Sequence, residues 1–204
     1  ETKDSELNVY QILVREYLSI ETPYRGLLVY HGLGTGKTAT AVTMAESLSD
    51  DMKIRTLLPA SLESNFVGEV KRWGQKELDI QGQQWSFTPL SEIQSNTAFR
   101  KKIFKQFSVG EDQLKEIFNH TIREVKKKIS FSLLEAEPEL QEDIPELKKR
   151  IQQKYKEVSP KVKQTQGFWM YGGDKTYESL EPYEKLSLEC QIHKLVQLKY
   201  NFIH

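Results

Sequence analysis

The sequence predicts an α/β fold: a parallel β-α-β unit near the N-terminus, interrupted by a mainly helical insertion. Three observations predict it. Gly26 to Tyr30 is a short uninterrupted apolar run, the pattern of a strand buried on both faces. A glycine-rich turn and an amphipathic stretch from Lys37 to Ser49 follow, and Ile54 to Leu58 reads as a second buried strand. Beyond them the 204-residue chain turns charged and helix-forming over 81–166, with 16 Lys/Arg and 12 Asp/Glu there against 13 and 17 in the two flanks together.

Each element has its own signal. Leu7, Tyr10, Leu13, Val14, Tyr17 and Leu18 recur at helical spacing, so an amphipathic helix opens the chain and Pro23 ends it. In the stretch from Lys37, Ala41, Val42, Ala45 and Leu48 are expected inward, and Asp50-Asp51 closes it. Its length suits one crossover helix, so the two flanking strands are expected to be parallel neighbours. After Pro59, Ser61 is a good N-cap for a third helix with Leu62, Phe66, Val70 and Trp73 on one side and Gly74 as its stop.

In the insertion Leu114, Ile117, Phe118, Ile122, Val125 and Ile129 share one helical face. Glu111-Asp112 at its start and Lys126 to Lys128 at its end suit the helix dipole. Pro145 begins a second helix to about Val158, with Leu147, Ile151, Tyr155 and Val158 as its stripe; the acidic 135–143 segment joins the pair into a hairpin. Phe168 to Tyr171, before Gly172-Gly173, reads as a core strand entering a turn in preference to a stacking surface. Leu188, Ile192, Leu195, Val196 and Lys199 mark a last helix, and Tyr200 to Ile203 starts an extended segment. The expected organisation is therefore 1–80 as the α/β unit, 81–166 as the insertion and 167–204 as the return to the first unit.

Composition narrows the function classes. With 29 basic and 29 acidic residues, no net charge advertises a nucleic-acid or membrane partner. The longest aliphatic runs, such as Leu27 to Val29, fall far short of the roughly 18 residues of a membrane span. The charged start lacks a signal-peptide apolar region, and Cys190 alone forms no internal disulfide, so a soluble, intracellular protein is expected. The histidines show no zinc or triad spacing. Arg100 to Lys102, Lys126 to Lys128 and Lys148 to Arg150 each lie beside acids, and a solvated helix face explains them better than a nucleic-acid track.

The chemistry concentrates in His31-Gly32-Leu33-Gly34-Thr35-Gly36-Lys37-Thr38, between the first expected strand and the crossover helix. Glycines let consecutive amides curl around a phosphate, and the helix N-terminus adds its positive dipole end. Lys37 can reach the β- and γ-phosphates as the catalytic cation, and the Thr38 hydroxyl can ligate Mg²⁺. The strict phosphate-loop pattern has glycine where His31 stands; the shorter Gly-x-Gly-Lys-Thr form is present here, and a dinucleotide fingerprint is excluded. Gln11 reads equally as a residue that recognises the adenine edge or as a solvated helix residue. Ser61 and Asn65, beside the end of the second strand, can contact a nucleic-acid phosphate; unaided, a plain helix cap is the better reading of Ser61.

Leu7 to Gln11, Thr22 to Leu28, His31 to Thr38, and Leu58 to Leu62 with Asn65, Phe66 and Glu69 occur in that order. They resemble the N-terminal part of the superfamily 2, Swi/Snf-like helicase ATPases of nucleocytoplasmic large DNA viruses, the poxvirus early transcription factor type among them. Phe168-Trp169 and Ser187 to Ile203 are more loosely similar; the insertion is not. The resemblance implies a first RecA-like domain with an incomplete parallel sheet, binding ATP and Mg²⁺ through Gly32 to Thr38, with Ser61 gripping DNA or RNA. It implies a second RecA-like domain in cis that supplies an arginine finger, and viral transcription or virion proteins as partners. The location implied is the host cytoplasm, in the viral factory, and the virion. No Asp-Glu pair in this sequence follows a buried strand, so the hydrolytic site is expected to be incomplete within these residues. A non-catalytic RecA-like scaffold and, more weakly, a small-molecule kinase are the alternatives.

Overall fold

The computed structural model describes residues 9–19, 21–30, 32, 34–164 and 166–204, so Leu7, Asn8, His31 and Leu33 lie outside the described residues. The chain divides into two units, one of residues 1–83 with 195–204 and one of residues 84–194. The fold is mixed α/β and dominated by helix.

The first unit holds α1 (Val9–Tyr17), α2 (Lys37–Leu48), β1 (Thr56–Leu57), α3 (Glu63–Trp73), the end of a long C-terminal helix, and a short strand Phe202–Ile203. That strand runs parallel to β1, with Thr56 opposite Phe202 and Leu57 opposite Ile203. The parallel pair is therefore not the one expected: 54–58 has the C-terminal segment as neighbour, and 24–30 forms no strand at all. The reason lies in partners. A strand buried on both faces needs a ladder neighbour and covering layers, and among the described residues none pairs with 26–30, so Leu28 and Tyr30 are 86% and 92% exposed. β1 itself spans two residues, and Leu57 faces solvent.

The helices of this unit form where the spacing placed them, but their faces differ. On α1 the apolar stripe of Tyr10 and Leu13 is exposed, and Gln11 is the buried residue. On α2 the inward residues are Ala39, Thr40, Val42, Thr43 and Glu46; Ala41 points outward. Ser61 is not an N-cap. Pro59, at φ −57° and ψ 138°, leads into a 3-10 turn at Ala60–Leu62, where the Leu62 amide donates to the Pro59 carbonyl at 2.9 Å. The backbone thus supplies the start of α3, and the Ser61 hydroxyl gives no cap bond. Gly74 ends α3 as expected, its N–H donating to the Val70 carbonyl at 2.8 Å.

Glu46 is fully buried near the end of α2 and is met by the end of the C-terminal helix. The Tyr200 hydroxyl donates to it at 2.7 Å, and the Lys199 ammonium bonds both Glu46 and, at 2.8 Å, the Gln75 side-chain carbonyl. Burial, then the Glu46 carboxylate, hold the Tyr200 phenol far above its usual range.

The second unit is built on an antiparallel sheet with β2 (Gln84–Pro89) between β3 (Gly167–Tyr171) and β4 (Lys175–Thr176). Phe87 lies opposite Trp169, and their rings sit 4.9 Å apart. The Phe168 to Tyr171 strand is thus confirmed as core, but it pairs with β2, so 167–194 belongs with the insertion and the chain returns to the first unit only at Leu195. β2 is the element the sequence hid: Gln-Trp-Ser-Phe-Thr-Pro alternates, yet ends in a proline that suits an edge or a strand end.

Around the sheet lie α4 (Leu90–Ser95), α5 (Thr97–Phe107), α6 (Glu111–Ala136) and α7 (Ile144–Gln164), and α8 (Pro182–Tyr200) runs from this unit into the first. Asn96 caps α5 by accepting from the Ala98 and Phe99 amides at 3.0 and 3.3 Å. α6 buries Leu114, Ile117, Val125 and Ile129, as its spacing predicts. It packs with α7 as the expected hairpin through the Pro138–Gln141 turn, where Leu140 is buried. α7 runs past Val158 and carries Pro160 inside its C-terminal part, where the missing N–H removes one helix bond. No described helix is long and apolar enough to cross a membrane.

Candidate functional site

The glycine-rich segment turns a chain from extended backbone into the N-terminus of α2. Gly34 and Gly36 take φ of 74° and 79°, the left-handed region that only glycine enters without strain. Gly36 occupies the N-cap position, and its carbonyl accepts from the Thr40 amide at 2.9 Å, the first bond of the helix. A Cβ at Gly36 would also stand 2.7 Å from the Gln11 amide nitrogen. The left-handed conformation requires glycine there, and a side chain would in addition displace the Gln11 amide.

Within this bend the carbonyl of Gly32 gathers the polar side chains. It accepts from the Thr35 hydroxyl at 2.9 Å and from the Lys37 ammonium at 2.7 Å. Lys37 thus lies on its own loop and is solvent-exposed. The loop opens onto a cleft of about 890 Å³, with Gly34 to Thr38 on one wall and residues of α3 on the other. That volume holds a small phosphorylated ligand with space for water.

The structure brings most of the sequence-predicted residues together. Gly34, Thr35, Gly36, Lys37 and Thr38 line the cleft, and Gln11 joins them. Its buried amide donates to the Gly36 carbonyl at 3.4 Å, so Gln11 is not a solvated helix residue. Asn65 lines the same cleft from α3, one turn and more from Ser61, which is exposed and is not part of the lining. Leu33 is outside the described residues.

Sequence reasoning missed the wall that α3 supplies. Glu69 and Arg72 share the cleft with Asn65, at the helical spacing that puts 65, 69 and 72 on one face. The Trp73 indole donates to Glu69 at 3.0 Å, and the Arg72 guanidinium lies 5.0 Å from the Trp73 ring centre, an arrangement that holds both side chains against the helix. The signal was present: polar residues at i, i+4 and i+7 on a helix whose buried residues are Val67 and Val70. Glu46 was legible too, since it lies four residues after Val42 on the buried face.

Several side chains fit a metal-bound phosphate: an ammonium, a hydroxyl at the helix start, and a backbone bent by two glycines. Among the described residues no group of three or more His, Cys, Asp or Glu could hold a metal ion by itself. Any cation here would be shared between Thr38 and a ligand's own oxygens.

Fold and site together define a mixed α/β protein with a Gly-Thr-Gly-Lys-Thr loop at a helix N-terminus, facing an open cleft. About a third of the chain is similar to proteins of large DNA viruses that are named as helicases. One of Acanthamoeba polyphaga mimivirus, named "Putative ATP-dependent RNA helicase", is 44% identical over 66 residues, 32% of this chain and 12% of the relative. A second mimivirus protein of the same description is 38% identical over 72 residues, 33% of this chain and 9% of its own. A "Putative helicase" of Frog virus 3 is 42% identical over 65 residues, 30% of this chain and 7% of its own. The matches thus cover roughly a tenth of the relatives' length. No family model matches, and no solved structure does. These likenesses relate the chain to helicases in general terms.

Proposed function

We propose that these residues are the ATP-binding N-terminal portion of a helicase-like, nucleic-acid-dependent ATPase of a large DNA virus, built on a RecA-like domain. The observation that carries it is the junction at Gly34 to Thr38: two left-handed glycines deliver a lysine and a threonine to the start of a twelve-residue helix at the edge of a roomy cleft. The names of the relatives support ATP as the ligand and a nucleic acid as the partner.

In this reading Lys37 exchanges the Gly32 carbonyl for the β- and γ-phosphate oxygens, a short swing for a flexible exposed side chain. The Thr38 hydroxyl ligates Mg²⁺, which when bound neutralises phosphate charge. Gln11, already bonded to the loop, sits where its amide can register whether a nucleotide is in place, with the adenine nearby. DNA or RNA contacts fall to Ser61 and Asn65, the latter on the α3 side of the cleft. A second RecA-like domain in cis completes hydrolysis, and the work is viral transcription or genome handling in the host cytoplasm.

The test has two arms. Fluorescent ATP analogue with Mg²⁺ is titrated into the wild-type chain and into Lys37→Ala, and ATPase of the complete protein is measured with and without DNA or RNA. Lys37→Ala is expected to lower nucleic-acid-stimulated turnover by roughly a hundredfold or more, the scale of losing one preorganised charge at a transferring group. Equal turnover in both proteins ends the proposal. A scaffold role predicts a folded chain with no nucleotide affinity at all.

A further inference from the structure

A second concavity lies within the other unit and owes nothing to the nucleotide reading. Where the α6–α7 hairpin meets the first turn of α8, a hollow of about 330 Å³ opens to solvent. Its floor is Val125 and Ile129, both buried, and Leu133, Tyr183 and Leu186 surround them only half-buried. At interior packing density such a hollow accommodates about two large apolar side chains.

The rim of this hollow is basic. Lys128 of α6 and Lys154 of α7 line it, both exposed, together with the exposed Ser132. Lys126 lies next to it, its ammonium 4.8 Å from the Tyr155 ring centre. Three carboxylates on the same helices are engaged: Glu124 with Lys127 at 3.6 Å, Glu157 with Lys154 at 3.2 Å, and Glu184 with Lys175 at 3.1 Å. Lys128 makes no hydrogen bond or ion pair among the described residues. The hollow therefore offers apolar area and one uncompensated positive charge side by side.

We propose that this hollow docks an acidic amphipathic segment of a partner protein, seating one or two leucine- or phenylalanine-sized anchors on Val125, Ile129 and Leu186 while its carboxylates meet Lys128. Charge complementarity selects the partner. A nucleic-acid strand would satisfy the lysines but leave the apolar floor uncovered, and phosphates make poor company for it. A helix with its apolar residues in the hollow and its acids on the rim satisfies both.

The probe is a fluorescein-labelled peptide with leucines at i, i+3 and i+7 and glutamates between them, titrated into the full chain and followed by anisotropy at low and high salt. Saturable binding is expected, weakened by salt. Lys128→Glu raises Kd by about tenfold, as a reversed rim charge does. Ser132→Trp, at an exposed position, fills the mouth and raises Kd at least as much; far-UV circular dichroism verifies that both variants fold. A control peptide with serine for each leucine does not bind. The proposal is overturned by wild-type affinity in both variants, by no saturable binding of the glutamate peptide up to about millimolar concentration, or by tighter binding of single-stranded DNA that Ser132→Trp leaves unchanged.

Discussion

β3 and β5 (Phe202–Ile203) are both edge strands, and the molecule finishes them differently. The free edge of β3 is closed by a side chain. The Gln191 amide on α8 accepts from the Trp169 N–H and donates to the Trp169 carbonyl, each at 2.8 Å, reproducing what a neighbouring strand would supply. Phe168, Trp169 and Met170 are buried around it. β5 has β1 on one side only, and within that small pair Leu57 faces water, as do Leu28 and Tyr30 elsewhere in the unit. The second unit is held by buried aromatic surface; the first relies at its C-terminal seam on a buried carboxylate with two polar partners, Lys199 and Tyr200. An apolar run is buried only where something lies against it, and this chain shows both outcomes.

The sharpest way to break the comparison is to remove the aromatic core. Trp169→Ala deletes a fully buried indole and its bond to the Ser187 hydroxyl, and is expected to cost about 4 kcal/mol, read from chemical denaturation. Glu46→Ala in the first unit is next. It leaves the buried Tyr200 hydroxyl without its acceptor and Lys199 with only the Gln75 carbonyl in place of a carboxylate, at about 3 kcal/mol. Glu46→Gln, which still accepts from Tyr200, should lose less. If Glu46→Ala proved neutral, the claim that a polar cluster holds the first unit would fall.

Gln191→Leu tests the edge closure itself. The volume is nearly kept, but the Trp169 N–H and carbonyl lose their partners in a buried place, which costs about 2 kcal/mol. Hydrogen exchange at the Trp169 amide should accelerate more than at Ser86 or Thr88 in the same sheet. Uniform acceleration across the sheet would mean that Gln191 acts through packing instead.

What could be read from the sequence follows the same division. Local signals held: the helix at Lys37, the faces of α6, the hairpin, and the glycines at 34 and 36 depend on residues close along the chain. Long-range pairing did not. Nothing near Gly26 to Tyr30 states which strand lies beside it, and nothing near Gln84 announces a partner at Gly167 to Tyr171. The same holds for the site. The loop was legible because the Gly-Lys-Thr pattern carries its own chemistry; the sequence left Gln11 between two readings, and the α3 wall needed the structure to show which face of that helix meets the loop.

The smallest expected effect concerns pH. His120 on α6 stacks with His193 on α8 at 6.0 Å between ring centres, with Arg123 at hydrogen-bond distance. Burial holds its imidazole below the ordinary value of 6.5; Arg123, Lys194 and Lys127 push the same way, and Glu124 opposes them. The unfolded chain therefore takes up this proton at a higher pH than the folded one. Wherever the unfolded state binds more protons, stability falls as pH falls. The contribution of His120 is thus complete above the usual histidine range and declines as pH drops through that range toward the folded value. Denaturation midpoints at about pH 7.5 and about pH 5.5 should differ more for the wild type than for His120→Gln, which carries no titrating group. An unchanged difference would assign the pH dependence to other groups, and the second unit would then owe its stability to aromatic burial and edge closure without help from this pair.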